Sequence, residues 1–139
     1  MSAFLWAVVT ALIWGVVPLL EKLGLRAATP MVGVLVRSLG VLVGFLCWGL
    51  LVSPWSAIRA LPWSSVLLLA GGGFLASFLG QMAFYHALKS GAVSQVTPVA
   101  GAYPLIAALL GWWLLREPLT TTRILGVLLI ILGVVLLRT

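Results

Sequence analysis

Residues 94–139 read SQVTPVAGAYPLIAALLGWWLLREPLTTTRILGVLLIILGVVLLRT. An apolar run entered through Pro98 ends at Leu114-Leu115. A charged break follows, Arg116-Glu117-Pro118-Leu119-Thr120, and a second apolar run extends from Ile124 to Leu137. Two apolar segments of this length, so closely spaced, predict a transmembrane hairpin rather than part of a soluble core. The break has a local cause. Pro118 has no amide proton and is accommodated only outside a helix interior or in its first turn. Thr120, Thr121 and Thr122 can cap the amides that open the last helix, and Glu117 stands near the positive end of that helix's dipole. Glu117 therefore reads first as a cap in an interfacial turn and second as a coupling carboxylate.

Composition extends this reading to the rest of the chain. Of the 139 residues, 63% are hydrophobic and only 7% charged, whereas a soluble domain carries about 25% charged residues. The chain reads as an all-α integral membrane protein with the lipid bilayer as its surroundings. Its formal charge of +6 does not mark a nucleic-acid binder, because the bases stand singly at the ends of apolar runs, as membrane loops carry them. Cys47 is the single cysteine and lies within an apolar run. That leaves no intramolecular disulfide and no cysteine cluster for a metal. The first apolar run has no preceding positive region and is interrupted by Trp14-Gly15, Pro18 and Glu21, so it reads as a span rather than a cleaved signal peptide.

Five spans are expected, at about residues 3–20, 31–52, 65–87, 97–115 and 121–138, in one membrane domain covering residues 1–139. Glu21, Lys22 and Arg26 close the first. A connector from Ser53-Pro54-Trp55-Ser56 to Pro62-Trp63 separates the second from the third, with tryptophans suited to an interfacial belt. The loops leave no room for a soluble catalytic or nucleotide-binding domain. Gly71-Gly72-Gly73 is not followed by Gly-Lys-Ser/Thr, so it reads as helix packing and not as a phosphate loop. No enzymatic activity, cofactor or metal is expected.

The hairpin also carries a family resemblance. Tyr103-Pro104, the run to Leu115, Arg116-Glu117-Pro118-Leu119, and Gly126 and Gly133 resemble the last two spans of an EamA-type repeat of the drug/metabolite transporter superfamily. Trp14-Gly15 with Lys22 looks like the end of that repeat's first span. Arg37 falls where many members carry Arg near the start of the second, and Tyr85 with Ala87-Leu88 looks like the end of the third. The similarity is to a single repeat, where typical members fuse two into ten spans. It implies a transporter of small organic solutes whose cavity lies between oppositely oriented repeats. In the related small multidrug resistance proteins a proton-exchanging carboxylate lies eight residues before a lysine. Counted back from Lys22 that position is Trp14, a departure from their antiport pattern that leaves Glu21 as the candidate coupling group, or as a partner of Lys22 or Arg26.

The charge tally bears on how one repeat would work. With the N-terminus in the cytoplasm, Arg59, Arg116, Arg123 and the terminal amine face inward, against Lys22, Arg26, Lys89 and Arg138 outside, leaving Arg37 within a span. Four against four gives the positive-inside rule nothing to act on. Dual topology and an antiparallel homodimer follow as expectations.

Candidate substrate-binding residues are Trp14, Arg37, Gln81, Tyr85 and Tyr103. On span three, Ser77, Gln81 and Tyr85 recur every four residues and form a polar stripe, which in lipid should face protein or a wet cavity. Trp14 shares a face with Thr10 and Pro18 and reads either as a lipid-facing aromatic or as a cavity wall. Arg37 lies about two turns inside its span, roughly 9 Å along the axis. It either snorkels or binds an anionic group. Tyr103 stands beside Pro104, where the proline frees backbone carbonyls. His86 ends span three and reads as interfacial.

The expected function is a secondary transporter of metabolites or drugs by alternating access in the inner (plasma) membrane, with export as the expected direction. The alternatives are a subunit of a heteromeric lipid-carrier translocase and a non-transporting membrane scaffold.

Overall fold

The computed structural model describes residues 2–52, 55–118 and 120–137. Ser53-Pro54 of the connector, Leu119 of the hairpin motif, and Arg138 and the terminal amine of the charge tally lie outside the described residues. Among those described, every regular element is helical: α1 (Ala3–Gly24), α2 (Pro30–Val52), α3 (Trp55–Arg59), α4 (Trp63–Phe74), a π-helical segment (Leu75–Gly80), α5 (Gln81–Ser90), α6 (Val93–Ala100), α7 (Tyr103–Leu115) and α8 (Thr121–Leu136). The protein is an all-helical membrane protein. The runs Ala3–Gly24, Pro30–Val52, Trp63–Ser90 and Val93–Leu115 are long and apolar enough to cross a bilayer, and Thr121–Leu136 is a shorter apolar helix.

The punctuation residues set these limits. The side chain of Ser2 accepts from the Leu5 amide and opens α1. Thr29 caps α2 by accepting from the Val32 amide at 3.4 Å, with Pro30 at the first helical position, where its missing N–H costs nothing. α1 runs on past Leu20 to Gly24, so Glu21 and Lys22 are helical residues and not loop residues. Val93–Leu115 is not continuous. Gly101 and Ala102 form a turn between α6 and α7, with Pro98 inside α6 and Pro104 at the start of α7. Each proline lacks the amide that would bond the carbonyl four residues earlier.

The described residues fall into two compact units divided between Ser90 and Gly91. In the first, α5 packs on α1 and α2. Leu25, Val34, Tyr85 and Leu88 are its buried hydrophobic side chains, and they come from the residue that caps α1, the first turns of α2 and the middle and end of α5. The core is therefore concentrated at one end of this unit. No residue of α4 or of the π segment is buried. Two lysines tie the packed end together: Lys22 donates to the Leu88 carbonyl, and Lys89 to the Ala28 carbonyl. Gly33 allows the close approach there. A Cβ on it would stand 2.9 Å and 3.0 Å from Tyr85 ring carbons and 2.9 Å from Leu25 Cδ2.

In the second unit, α7 and α8 form the hairpin. Arg116 adopts a left-handed conformation (φ 57°) that ends α7, and the Glu117 amide bonds back to the Gly111 carbonyl, an arrangement that satisfies the last carbonyls of a helix. Thr120, of the three threonines, supplies the cap of α8 by accepting from the Arg123 amide at 3.3 Å.

Candidate functional site

Glu21 is the organising residue. On a helix the Cα–Cβ bond leans toward the N-terminus, so a side chain near the end of α1 is aimed back into the span rather than out to the headgroups. Its Oε1 accepts from Gln81 Nε2 at 2.9 Å and from the Tyr85 hydroxyl at 2.9 Å. Arg37 Nε lies 3.5 Å from the same oxygen. Three helices thus deliver a carboxylate, a guanidinium, an amide and a phenol to one point in an apolar bundle. Glu21 Oε2 is buried and has no hydrogen-bond partner among the described residues.

The members are unequally held. The Glu21 side chain is 10% exposed and the Arg37 side chain 33%. Glu21 has two hydrogen bonds of ordinary length from neutral donors, whereas the guanidinium contact is longer than a hydrogen bond. Tyr85 is fixed by its ring, which lies against Gly33 with 3% of the residue exposed.

Of the residues singled out in the sequence, Arg37, Gln81, Tyr85 and Glu21 meet. Glu21 pairs with Arg37 rather than with Lys22 or Arg26. Lys22 is turned toward Leu88 instead, because the continuing helix puts it about 100° around the axis from Glu21. Ser77, expected on the same stripe as Gln81 and Tyr85, lies inside the π segment and outside the cluster, since the wider π turn breaks the four-residue spacing. Trp14 is 58% exposed and Tyr103 56%. Trp14 precedes Glu21 by seven residues and so lies on the same side of α1, while Tyr103 belongs to the second unit, at the start of α7. His86 is exposed near the end of α5. Glu21, the candidate coupling group in the sequence, is the residue on which the other three converge.

The second acid behaves differently. Glu117 is 56% exposed and lies 3.5 Å from Arg123, which also donates to the Pro118 carbonyl at 3.0 Å. A Cβ on Gly111 would meet this carboxylate at 3.5 to 3.8 Å, so the glycine leaves room for Glu117 to fold over the hairpin. A groove of about 320 Å³ between α7 and α8 is lined by Pro104, Trp112, Glu117, Arg123 and Ile130 among others.

Comparison with known proteins places the chain. The model of the EamA-like transporter family matches residues 1–139. An uncharacterized protein of Methanocaldococcus jannaschii is 37% identical over 59 residues, which is 42% of this chain and 43% of that protein. The chain thus matches less than half the length of this relative. No solved structure matches. The family match is not confined to the hairpin motif but takes in the three helices that build the polar cluster; the chain is a multi-pass membrane protein and belongs to the EamA-like transporter family.

Proposed function

We propose that the protein is a secondary transporter that moves small organic solutes by alternating access, as an antiparallel homodimer in the inner (plasma) membrane. The observation that carries this reading is the meeting of Glu21, Arg37, Gln81 and Tyr85 inside apolar helices. A structural helix has no need of a charged pair in lipid, where an ionised side chain costs about 2.5–3.5 kcal/mol on insertion scales, so such a pair favours a solute pathway over a scaffold. The cluster lies beside the packed end of α1, α2 and α5, where it serves as the closed gate of the pathway. Trp14, two turns along α1 from Glu21 on the same side of the helix, and Tyr103, beside the break in Val93–Leu115, are candidate solute contacts, each within its own unit. Discontinuous helices expose backbone carbonyls at midplane sites of such transporters. A second copy of opposite orientation supplies the other half of the cavity, and export is the direction assigned.

The test is flux. Purified protein in proteoliposomes should accumulate a fluorescent or radiolabelled solute from a panel of small organic acids, amines and neutral compounds. Replacing Gln81 and Tyr85 by Leu and Phe should abolish that uptake while the protein remains folded. Unchanged uptake in the folded variant would remove the cluster from the pathway. An absence of flux for the whole panel would favour the scaffold or the lipid-carrier subunit.

A further inference from the structure

We propose that the solute carries a carboxylate and is bound by Arg37, with Glu21 acting as the built-in counter-ion that the solute's carboxylate replaces. The inference rests on the transporter reading above and names its substrate class. The geometry of the cluster carries it. Arg37 is the more exposed member of the pair, 33% against 10%, so the charge that a solute can reach is the positive one. It is also the least firmly held, its one polar contact among the described residues being 3.5 Å to Oε1. Among the described residues no second carboxylate is recorded near it.

Glu21, by contrast, is held without Arg37. Gln81 and Tyr85 each donate to Oε1 at 2.9 Å, so the carboxylate keeps two neutral donors when the guanidinium turns away. A buried charge left with no donor would forbid the exchange; these two bonds remove that obstacle. The guanidinium is a planar fork of five donors that matches a carboxylate bidentately. The contact with Glu21 runs through Nε, so an incoming carboxylate can engage the rest of the fork. A solute amine gains nothing comparable. The Glu21 oxygen with hydrogen-bonding capacity to spare, Oε2, is buried, and the cation beside it repels a second one.

The probe is benzoate, with benzylamine and benzyl alcohol as cationic and neutral molecules of matched size. Equilibrium binding is measured on the whole protein in phosphatidylcholine nanodiscs, and flux in liposomes of the same lipid. Benzoate should bind, and the other two at least tenfold more weakly. Arg37→Gln combined with Glu21→Gln, which removes both charges together, should weaken benzoate binding about ten- to a hundredfold. Arg37→Lys, which keeps the charge and loses the fork, should fall between the two. Glu21→Gln alone should bind benzoate more tightly, because its competitor is gone.

No benzoate binding, a preference for benzylamine, or benzoate binding unchanged in the double variant overturns the proposal. Binding that disappears when phosphatidylglycerol replaces phosphatidylcholine also overturns it, by making the lipid headgroup the occupant of Arg37. Benzoate binding without flux sinks the transporter reading and leaves the ligand class. Flux of benzylamine alone does the reverse.

Discussion

At the scale of single residues, the chain's two acids illustrate how burial changes the meaning of one functional group. Glu117 and Arg123 are each more than half exposed in the hairpin turn, and exposed pairs contribute about 0–1 kcal/mol. Glu117→Gln should therefore leave thermal unfolding in detergent and solute flux nearly unchanged. Glu21→Gln leaves Arg37 without its carboxylate inside a span. Losing one partner of a fully buried pair costs about 3–5 kcal/mol; with a third of Arg37 exposed the expectation falls to about 1–2 kcal/mol. Equal effects of the two substitutions would contradict the assignment. Gly33 offers a second contrast. Its Cβ would crowd the Tyr85 ring at 2.9 Å, whereas nothing lies within 4 Å of a Cβ on Gly72. Gly33→Ala should lower stability by about 1–3 kcal/mol through overpacking and disturb the Tyr85–Glu21 bond. Gly72→Ala should be neutral or slightly stabilising. Paired unfolding curves in one detergent decide this.

At the scale of elements, the third membrane run is two helices with a π segment between them. α5 is docked on α1 and α2, while α4 and the π segment have no buried residue. π geometry makes poorer use of backbone bonds, and such segments recur at functional sites. Phe74 and Phe78, with ring centroids 5.4 Å apart, stack across its entry. Amides of Leu75–Gly80 should exchange with deuterium faster than those of Gln81–Ser90, when followed by mass spectrometry in nanodiscs. Equal protection would mean that the run moves as one rigid helix.

At the scale of the molecule, the near balance of bases is the handle. Adding lysines at Ala57 and Ser64 should fix the Arg59 side in the cytoplasm, and adding them at Ala27 and Ser90 should fix the opposite orientation. Topology reporters fused to the C-terminus should show each variant in one orientation and the parent in both. Each biased variant alone should lose transport, and co-expression should restore it. Transport by one biased variant alone would overturn the antiparallel pair.

The sequence by itself determined the class of this protein. With 63% hydrophobic residues in long runs, and capping residues such as Thr29-Pro30 and Thr120 between them, helices crossing a membrane follow from local chemistry alone. The polar stripe was legible in part, because Gln81 and Tyr85 are four residues apart and α5 is regular there. The tertiary structure alone decided what those groups touch. Whether Glu21 would meet Lys22, Arg26 or Arg37 depended on how far α1 continued and on which face α2 presented. It depended equally on a glycine at 33 letting Tyr85 come close. Ser77 fell out of the stripe for a similar reason, since the π turn that displaces it leaves no mark in the hydrophobic pattern. Local propensity acts over a few residues, whereas an ion pair between residues 21 and 37 is set by packing between helices. In lipid that packing has no hydrophobic gradient to announce it in the sequence.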